Sequence, residues 1–256
     1  MVGARAGFTL IELAVVLVVI GLIVGAVLTG QSLIRASEVQ SIVTDLNKIT
    51  TAIQTFRGKY NALPGDMPNA TGLWGTASGG CPTGTGSGTQ TCNGNGDGII
   101  ADASGVNTLT WYESFRIWQH LGNAQLIPGT YTGVTGPGGQ LNSVIGSNVP
   151  ASRVSGVGYS LIYGGGYSTS PWFVSYYGHL IFVGAQTTAW ETDGAAFTEA
   201  EALALDTKID DGLPGAGRLM QFDSTAGCST TTNPATATYD LSKRGKVCIV
   251  IYKTGI

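Results

Sequence analysis

The chain has 256 residues, of which 43% are hydrophobic and only 11% are charged, and its formal net charge is −3. So few charges are unusual for a cytosolic protein, and the 39 glycines indicate long, uncharged loops. Lys and Arg do not cluster along the sequence, which argues against a nucleic-acid partner, because phosphate binding needs a basic patch. We therefore expect a globular protein that works outside the cytoplasm.

The first predicted element is an apolar helix. Residues 8–28 read FTLIELAVVLVVIGLIVGAVL, and no side chain is charged between residues 13 and 28. The run has about the 20 residues that a helix needs to cross a bilayer. Arg5 and the amino terminus precede it, which predicts that the N-terminus lies in the cytoplasm and that most of the chain lies outside it. Arg35, on the far side of the span, opposes this charge bias.

Two features distinguish this segment from a secretory signal or an ordinary anchor. Only seven residues precede the apolar run, and no small-x-small site follows it, which argues against removal by signal peptidase. The second feature is Glu12, a carboxylate one turn into the span, where a charge costs free energy. Taken alone, Glu12 is equally consistent with a side chain that reaches back to the headgroup level.

Gly7, the string FTLIE at 8–12 and the apolar helix together resemble the type IV prepilin signature, which pilins share with type II secretion pseudopilins. The resemblance implies that a membrane aspartyl peptidase, the prepilin peptidase, cuts between Gly7 and Phe8 and that Phe8 becomes N-methylated. It also implies that Glu12 pairs with the Phe8 amine. Such a pair between neighbouring subunits would tolerate burial and fix their axial register.

Beyond the span the pattern changes to a one-sided helix. From residue 39 to residue 60 apolar side chains recur at three- and four-residue steps, which is typical of an amphipathic helix with one buried stripe. We therefore divide the chain into a leader (1–7), a transmembrane and assembly helix (8–30), its amphipathic continuation (31–60) and a periplasmic or extracellular globular domain (61–256). The long helix should end near Gly58, before a turn.

Short elements and loops rich in Gly, Thr and Ser make up the rest of the chain. Strands are predicted at 157–163, 172–177, 180–183, 218–222 and 246–252. The second and third flank Gly178-His179 as a hairpin. Helices are predicted at 109–121 and from a capping box at Thr198 to about Asp206. The expected fold is α+β, a long N-terminal helix packed on an antiparallel sheet, as in pilins.

The four cysteines form two close-spaced pairs, which predicts disulfides once the chain is placed outside the cytoplasm. Of the three possible pairings we choose nearest neighbours, Cys81–Cys92 and Cys228–Cys248. Each bond would close a loop rich in Gly and Thr. A metal site is less favoured for these thiols, because there is no CxxC and no nearby His.

The string NGNGDG matches the first half of a calcium loop, in which Asn93, Asn95 and Asp97 offer oxygens at alternate positions. The usual bidentate Glu is absent, so Asp102, or Glu113 from the next helix, would supply a second carboxylate. The alternative is a pair of Asn-Gly and Asp-Gly turns that bind no metal. Calcium is thus the one cofactor considered, and none is required.

Other candidate sites favour structural interpretations. Asp206, Asp210 and Asp211 are interpreted as a solvated turn, and the aromatic residues of 159–177 as core and not as a recognition surface. The sequence contains no GxSxG, GxxxxGK or HExxH motif, and His120 is expected to be structural. We therefore expect no enzyme activity.

The leading hypothesis is a filament subunit of a type IV pilus, a type II secretion pseudopilus or a competence filament. The resemblance implies a location in the bacterial inner membrane and then in a filament. The implied partners are other pilin or pseudopilin subunits, the prepilin peptidase and an inner-membrane assembly platform. Chain length favours a minor or tip position. The alternatives are a pilus-associated adhesin that contacts a surface or glycan, and a membrane-anchored periplasmic enzyme, which would need neither Glu12 nor Gly7.

Overall fold

The computed structural model describes residues 7, 9–100, 112–139, 141–167, 173, 175–188, 190–222, 227–243 and 245–256. The described residues form four helices, α1 (Leu10–Tyr60), α2 (Ala70–Trp74), α3 (Glu113–Asn123) and α4 (Glu199–Ile209), and four strands, β1 (Val157–Tyr167), β2 (Ser175–Ala185), β3 (Leu219–Gln221) and β4 (Val250–Lys253). A long helix and an antiparallel sheet confirm the predicted α+β class.

Helix α1 is continuous over 51 residues, about 76 Å at 1.5 Å per residue. Side chains before Val39 are exposed or half-buried, whereas a buried stripe begins there and confirms the predicted amphipathic pattern. The stripe comprises Val39, Ile42, Leu46, Ile49, Ala52, Ile53 and Phe56. The helix ends where Asn61 adopts a left-handed conformation (φ 51°) and its N–H donates to the carbonyl of Arg57, a common C-terminal stop.

The four strands are antiparallel and lie in the order β1-β2-β4-β3. The hairpin predicted at Gly178-His179 is wrong, because β2 continues through these residues as one strand. Gly178 (φ 59°) pairs with Gly165 (φ 57°) on β1, next to a shift in register. Two glycines with positive φ allow an irregularity of the bulge type inside the ladder. The glycine that indicated a turn therefore distorts a strand and does not end it.

The sheet is buried on both faces. Along β2, Ile181 and Val183 belong to the main core with the α1 stripe, while Leu180 and Phe182 belong to a smaller cluster on the opposite face. This alternation is the period of two expected of a strand. The main core also contains Trp118 of α3 and joins the long helix to the rest of the domain.

Disulfides join Cys81 to Cys92 and Cys228 to Cys248, with Cα–Cα distances of 5.6 and 5.2 Å. Both are nearest-neighbour pairs, and both lie within loop-rich stretches. The short helix α2 lies in a stretch for which the sequence predicted only a loop. It places Trp74 against the end of α1, where its ring lies 6.2 Å from that of Phe56.

Candidate functional site

The N-terminal end of α1 is closed by a capping box made of Thr9 and Glu12. The N–H and the hydroxyl of Thr9 each donate to Oε2 of Glu12 at 2.8 Å, and the N–H of Glu12 donates back to the Thr9 hydroxyl at 3.3 Å. The pair satisfies helix-end donors that would otherwise lack partners. Sequence reasoning missed Thr9, although the same Thr-x-x-Glu spacing was recognised at Thr198.

The capping box places the predicted cleavage position outside the helix. Gly7 is exposed and non-helical, and Thr9 is extended (φ −79°, ψ 150°). Phe8, the residue predicted to be methylated, lies outside the described residues. Because Oε2 of Glu12 accepts both bonds from Thr9, its Oε1 keeps lone pairs for a further donor. The geometry is thus compatible with a cation held beside Glu12.

The first half of α1 presents an apolar surface that the globular domain does not cover. Leu17 and Leu22 are 68% and 70% exposed, and a Cβ added at Gly21, Gly25 or Gly30 would meet no atom within 4 Å. Within the described part of the chain, α1 is the one helix long and apolar enough to cross a bilayer. A continuous apolar surface of this size indicates partners outside the chain, whether lipid or other helices.

In the predicted calcium loop, the side-chain oxygens already accept backbone hydrogen bonds. Oδ1 of Asn93, Asn95 and Asp97 each accepts one backbone N–H, at 2.8, 3.0 and 2.8 Å. Asn95 also donates its amide to Asp97 at 2.7 Å. Asp102, the fourth predicted ligand, lies outside the described residues. Calcium at this loop stays a prediction.

Two carboxylates outside the loop hold its backbone. Asp66, buried in the turn after α1, accepts the N–H groups of Gly96 and Gly98, the latter at 2.8 Å. Oε1 of Glu113 accepts the N–H of Asn95 at 3.0 Å. Burial raises the pKa of Asp66 above its usual range. Glu113 is thus brought to the loop as predicted, where it binds an amide, while Asp66 is a contact that the sequence did not indicate.

A second acidic group lies at the end of α4. Among the residues described, Asp206, Asp210 and Asp211 are the one acidic trio whose ligand atoms lie within 4.8 Å of one another. The interpretation of this trio as solvated is wrong for Asp206, which is fully buried and accepts the hydroxyl of Tyr239 at 2.8 Å. Burial raises the pKa of Asp206 to about 7. Acidic side chains are often grouped without a metal, so the trio by itself assigns no ion.

His120 is a structural residue of the core. Its Nδ1 accepts the N–H of Gly65 at 2.9 Å, so Nε2 carries the proton of the neutral ring and donates to the hydroxyl of Thr91 at 3.0 Å. Burial, with a smaller effect of Arg116, lowers the pKa of His120 to about 3. The ring therefore stays neutral and connects the turn after α1 to the first disulfide loop.

Arg116 organises the same disulfide loop. It is 1% exposed, and its Nη2 donates to the carbonyls of Pro82 and Gly84 at 2.9 and 2.7 Å. Burial lowers the pKa of this guanidinium to about 10. A planar fork with several donors suits a loop whose carbonyls have few other partners. The pattern of α3 gave no sign of this role.

Three of the aromatic residues of 159–177 lie in the core. Tyr159, Phe173 and Tyr177 are buried, whereas Tyr176 is exposed and donates to or accepts from the hydroxyl of Tyr163 at 2.6 Å. The core interpretation is confirmed for Tyr159, Phe173 and Tyr177 and is wrong for Tyr176. Trp172 lies outside the described residues.

Comparison with known proteins adds one finding at the N-terminus. Residues 3–28 match the model of the prokaryotic N-terminal methylation motif. Searches of curated proteins and of solved structures gave no match. The match covers the predicted cleavage position, the capping box and most of the exposed apolar half of α1. Over these residues the chain carries the prepilin-type cleavage and methylation signature of type IV pilins and pseudopilins.

Proposed function

We propose that this chain is a structural subunit of a type IV pilus or a type II secretion pseudopilus. One observation carries the proposal: the methylation motif at 3–28 opens a continuous helix whose first half is apolar and exposed, while one face of its second half is buried against the globular domain. A domain held on such a helix can coat a filament whose centre is made of the apolar halves.

The methylation motif and the capping box at Thr9 support a route of processing and assembly. Prepilin peptidase cleaves between Gly7 and Phe8, and the new amine of Phe8 is methylated. In the assembled filament Oε1 of Glu12 pairs with that amine on an adjacent subunit, while Oε2 keeps its bonds to Thr9. The charge is then compensated in a medium of low dielectric, where an unpaired carboxylate would be costly.

A minor or tip position suits the size of the globular domain. Disulfide loops, the three short helices α2, α3 and α4 and the long β1-β2 pair enlarge the domain beyond what a helix and a four-stranded sheet require. The adhesin alternative receives less support, because Tyr159, Phe173 and Tyr177 are buried in the core and cannot contact a ligand.

Mass spectrometry of the chain recovered from bacterial membranes tests the proposal. In cells with a prepilin peptidase the mature protein should begin at Phe8 and carry one additional methyl group at its amine. In otherwise identical cells without the peptidase, residues 1–7 should remain. An intact Met1 in both strains would overturn the proposal.

A further inference from the structure

Basic side chains surround α1 where it enters the globular domain. A cleft of ≈ 290 Å³ is lined by Arg35 of α1 and by Lys246, which precedes β4. Adjoining clefts on the same stretch of α1 are lined by Arg153 and by Lys208 of α4. We refer to Arg35, Arg153, Lys208 and Lys246 as the basic collar. The four come from distant parts of the sequence, which is why no basic cluster is visible along the chain.

The charges of the collar are only partly neutralised within the described part of the protein. All four side chains are exposed, and the one ion pair in the part of the chain that the structure describes joins Lys243 to Asp240. Two half-buried carboxylates, Glu38 and Glu201, line the same clefts, and Arg153 shares a further cleft with Asp45 and Lys48. Five positive and three negative groups leave an excess of two positive charges on a chain whose net charge is −3.

Arg35 of the collar lies just outside the lipid headgroup layer, within the range of electrostatic attraction to it. The uncharged apolar run ends at Leu28, and Arg35 is seven residues further along the same helix, about 10 Å at 1.5 Å per residue. The polar layer of a bilayer extends about 6 Å beyond the hydrocarbon on each side. Attraction to anionic lipid extends over a Debye length of about 8 Å beyond that layer.

We propose that the basic collar binds the phosphate groups of anionic phospholipids on the outer face of the inner membrane. The domain then contacts the bilayer surface while the subunit is still in the membrane. This inference rests on the proposed function, since it requires the apolar half of α1 to cross the bilayer with the domain outside. Ammonium and guanidinium groups are the side chains that bind phosphate best.

The collar also accounts for the position of Arg35. A basic residue just beyond the span opposes the charge bias that keeps the N-terminus in the cytoplasm. Bound to a lipid phosphate, the same residue fixes the end of the span at the membrane surface. Assembly into a filament would remove the subunit from the bilayer and break these contacts.

Hydrogen–deuterium exchange of the full chain in lipid nanodiscs tests the proposal. One set of nanodiscs contains phosphatidylcholine alone, and the other contains phosphatidylcholine mixed with phosphatidylglycerol. Exchange at residues 153–156 and 245–248 should slow by about threefold or more with the anionic lipid, and high salt should reverse the effect, as for electrostatic contacts. The double variant Arg35→Gln/Lys246→Gln should lose the protection. The control Arg57→Gln/Lys59→Gln, which removes two charges at the distal end of α1, should keep it.

The remaining outcomes separate this inference from the proposed function. Equal exchange in the two lipids, with the chain inserted, would overturn the collar proposal and leave the filament proposal intact. Protection that follows the number of chains per nanodisc, whatever the lipid, would assign the clefts to a second copy and overturn lipid binding. A chain that fails to enter either nanodisc would contradict the membrane span and both proposals.

Discussion

The two halves of α1 are parts of one unbroken helix, yet their side chains lie in different environments. Up to Leu28 the helix has mainly apolar side chains with no cover from its own domain, whereas from Val39 a stripe packs into the core. Both halves have the same backbone hydrogen bonds. The comparison shows that helix formation and burial are separate properties here: the first half needs partners outside the chain to bury its surface, and the second half finds them within it.

The largest expected effect comes from the buried half. Phe56 is 0% exposed, and its ring packs 4.5 Å from that of Tyr60, so Phe56→Ala should lower the free energy of unfolding of the domain by about 4 kcal/mol. Denaturant unfolding of the chain in nanodiscs measures this. The control is Leu17→Ala in the exposed half, which should change domain stability by less than about 0.5 kcal/mol. A comparable loss of unfolding free energy in both variants would contradict the claim that only the second half of α1 packs in the domain core.

Substitution of Glu12 tests the role of the exposed half in filament assembly. Glu12→Gln keeps an acceptor for the capping box but removes the charge, so filament yield should fall about a hundredfold, because an unpaired partner charge in the filament costs about 3 kcal/mol. Membrane insertion and domain stability should not change. Filament yield is measured by shearing and immunoblotting. The matched variant Thr9→Ala weakens the cap and keeps the charge, and should assemble better than Glu12→Gln. Normal assembly of Glu12→Gln would assign Glu12 to capping alone.

The two halves also differ in how far the sequence predicts them. Apolar periodicity predicts the stripe from Val39 onward and the span before it, because both depend on local spacing. The capping box at Thr9 was equally local and was missed because Glu12 was interpreted only through its charge. The strand error at Gly178 has another cause: glycine permits both a turn and a bulge, and only the pairing with Gly165 on β1 decides between them.

Long-range contacts account for what the sequence does not predict in the candidate sites. Arg116 and His120 have the spacing of ordinary helix positions, and their roles depend on the carbonyls and hydroxyl of a loop about 30 residues earlier. Asp66 reaches the amides of Gly96 and Gly98 in the same way. The basic collar is assembled from four segments, so no window of sequence contains it.

Acid should lower the stability of the domain that packs on the buried half. His120 stacks on Phe56 at 6.2 Å, and its pKa is lowered to about 3. The unfolded chain therefore binds a proton near the ordinary pKa of about 6.5 and the folded chain does not, so stability is lost as pH falls through this window, by about 2 kcal/mol near pH 5. Raised carboxyl pKa values at Asp66 and Asp206 act in the opposite direction. Unfolding measured against pH in wild type and in His120→Gln isolates the histidine. If the free energy of unfolding depends on pH with the same slope in both proteins, the assignment of this acid sensitivity to His120 is wrong.

The smallest expected effect on stability is that of calcium at the loop of residues 93–98, whose amides Asp66 binds from the turn after α1. If Asn93, Asn95 and Asp97 bind the ion together with Asp102, calcium should raise the stability of the domain by about 1 kcal/mol when it exceeds the dissociation constant several-fold. Thermal unfolding with added calcium, compared with magnesium, measures the shift. Asp97→Asn should abolish it, whereas Asp211→Asn, in the acidic group at the end of α4, should not. A shift that survives Asp97→Asn and disappears in Asp211→Asn would move the site to α4. No shift in wild type would show that the carboxylates of Asp66 and Glu113, which already bind the amides of the loop, hold it without a metal.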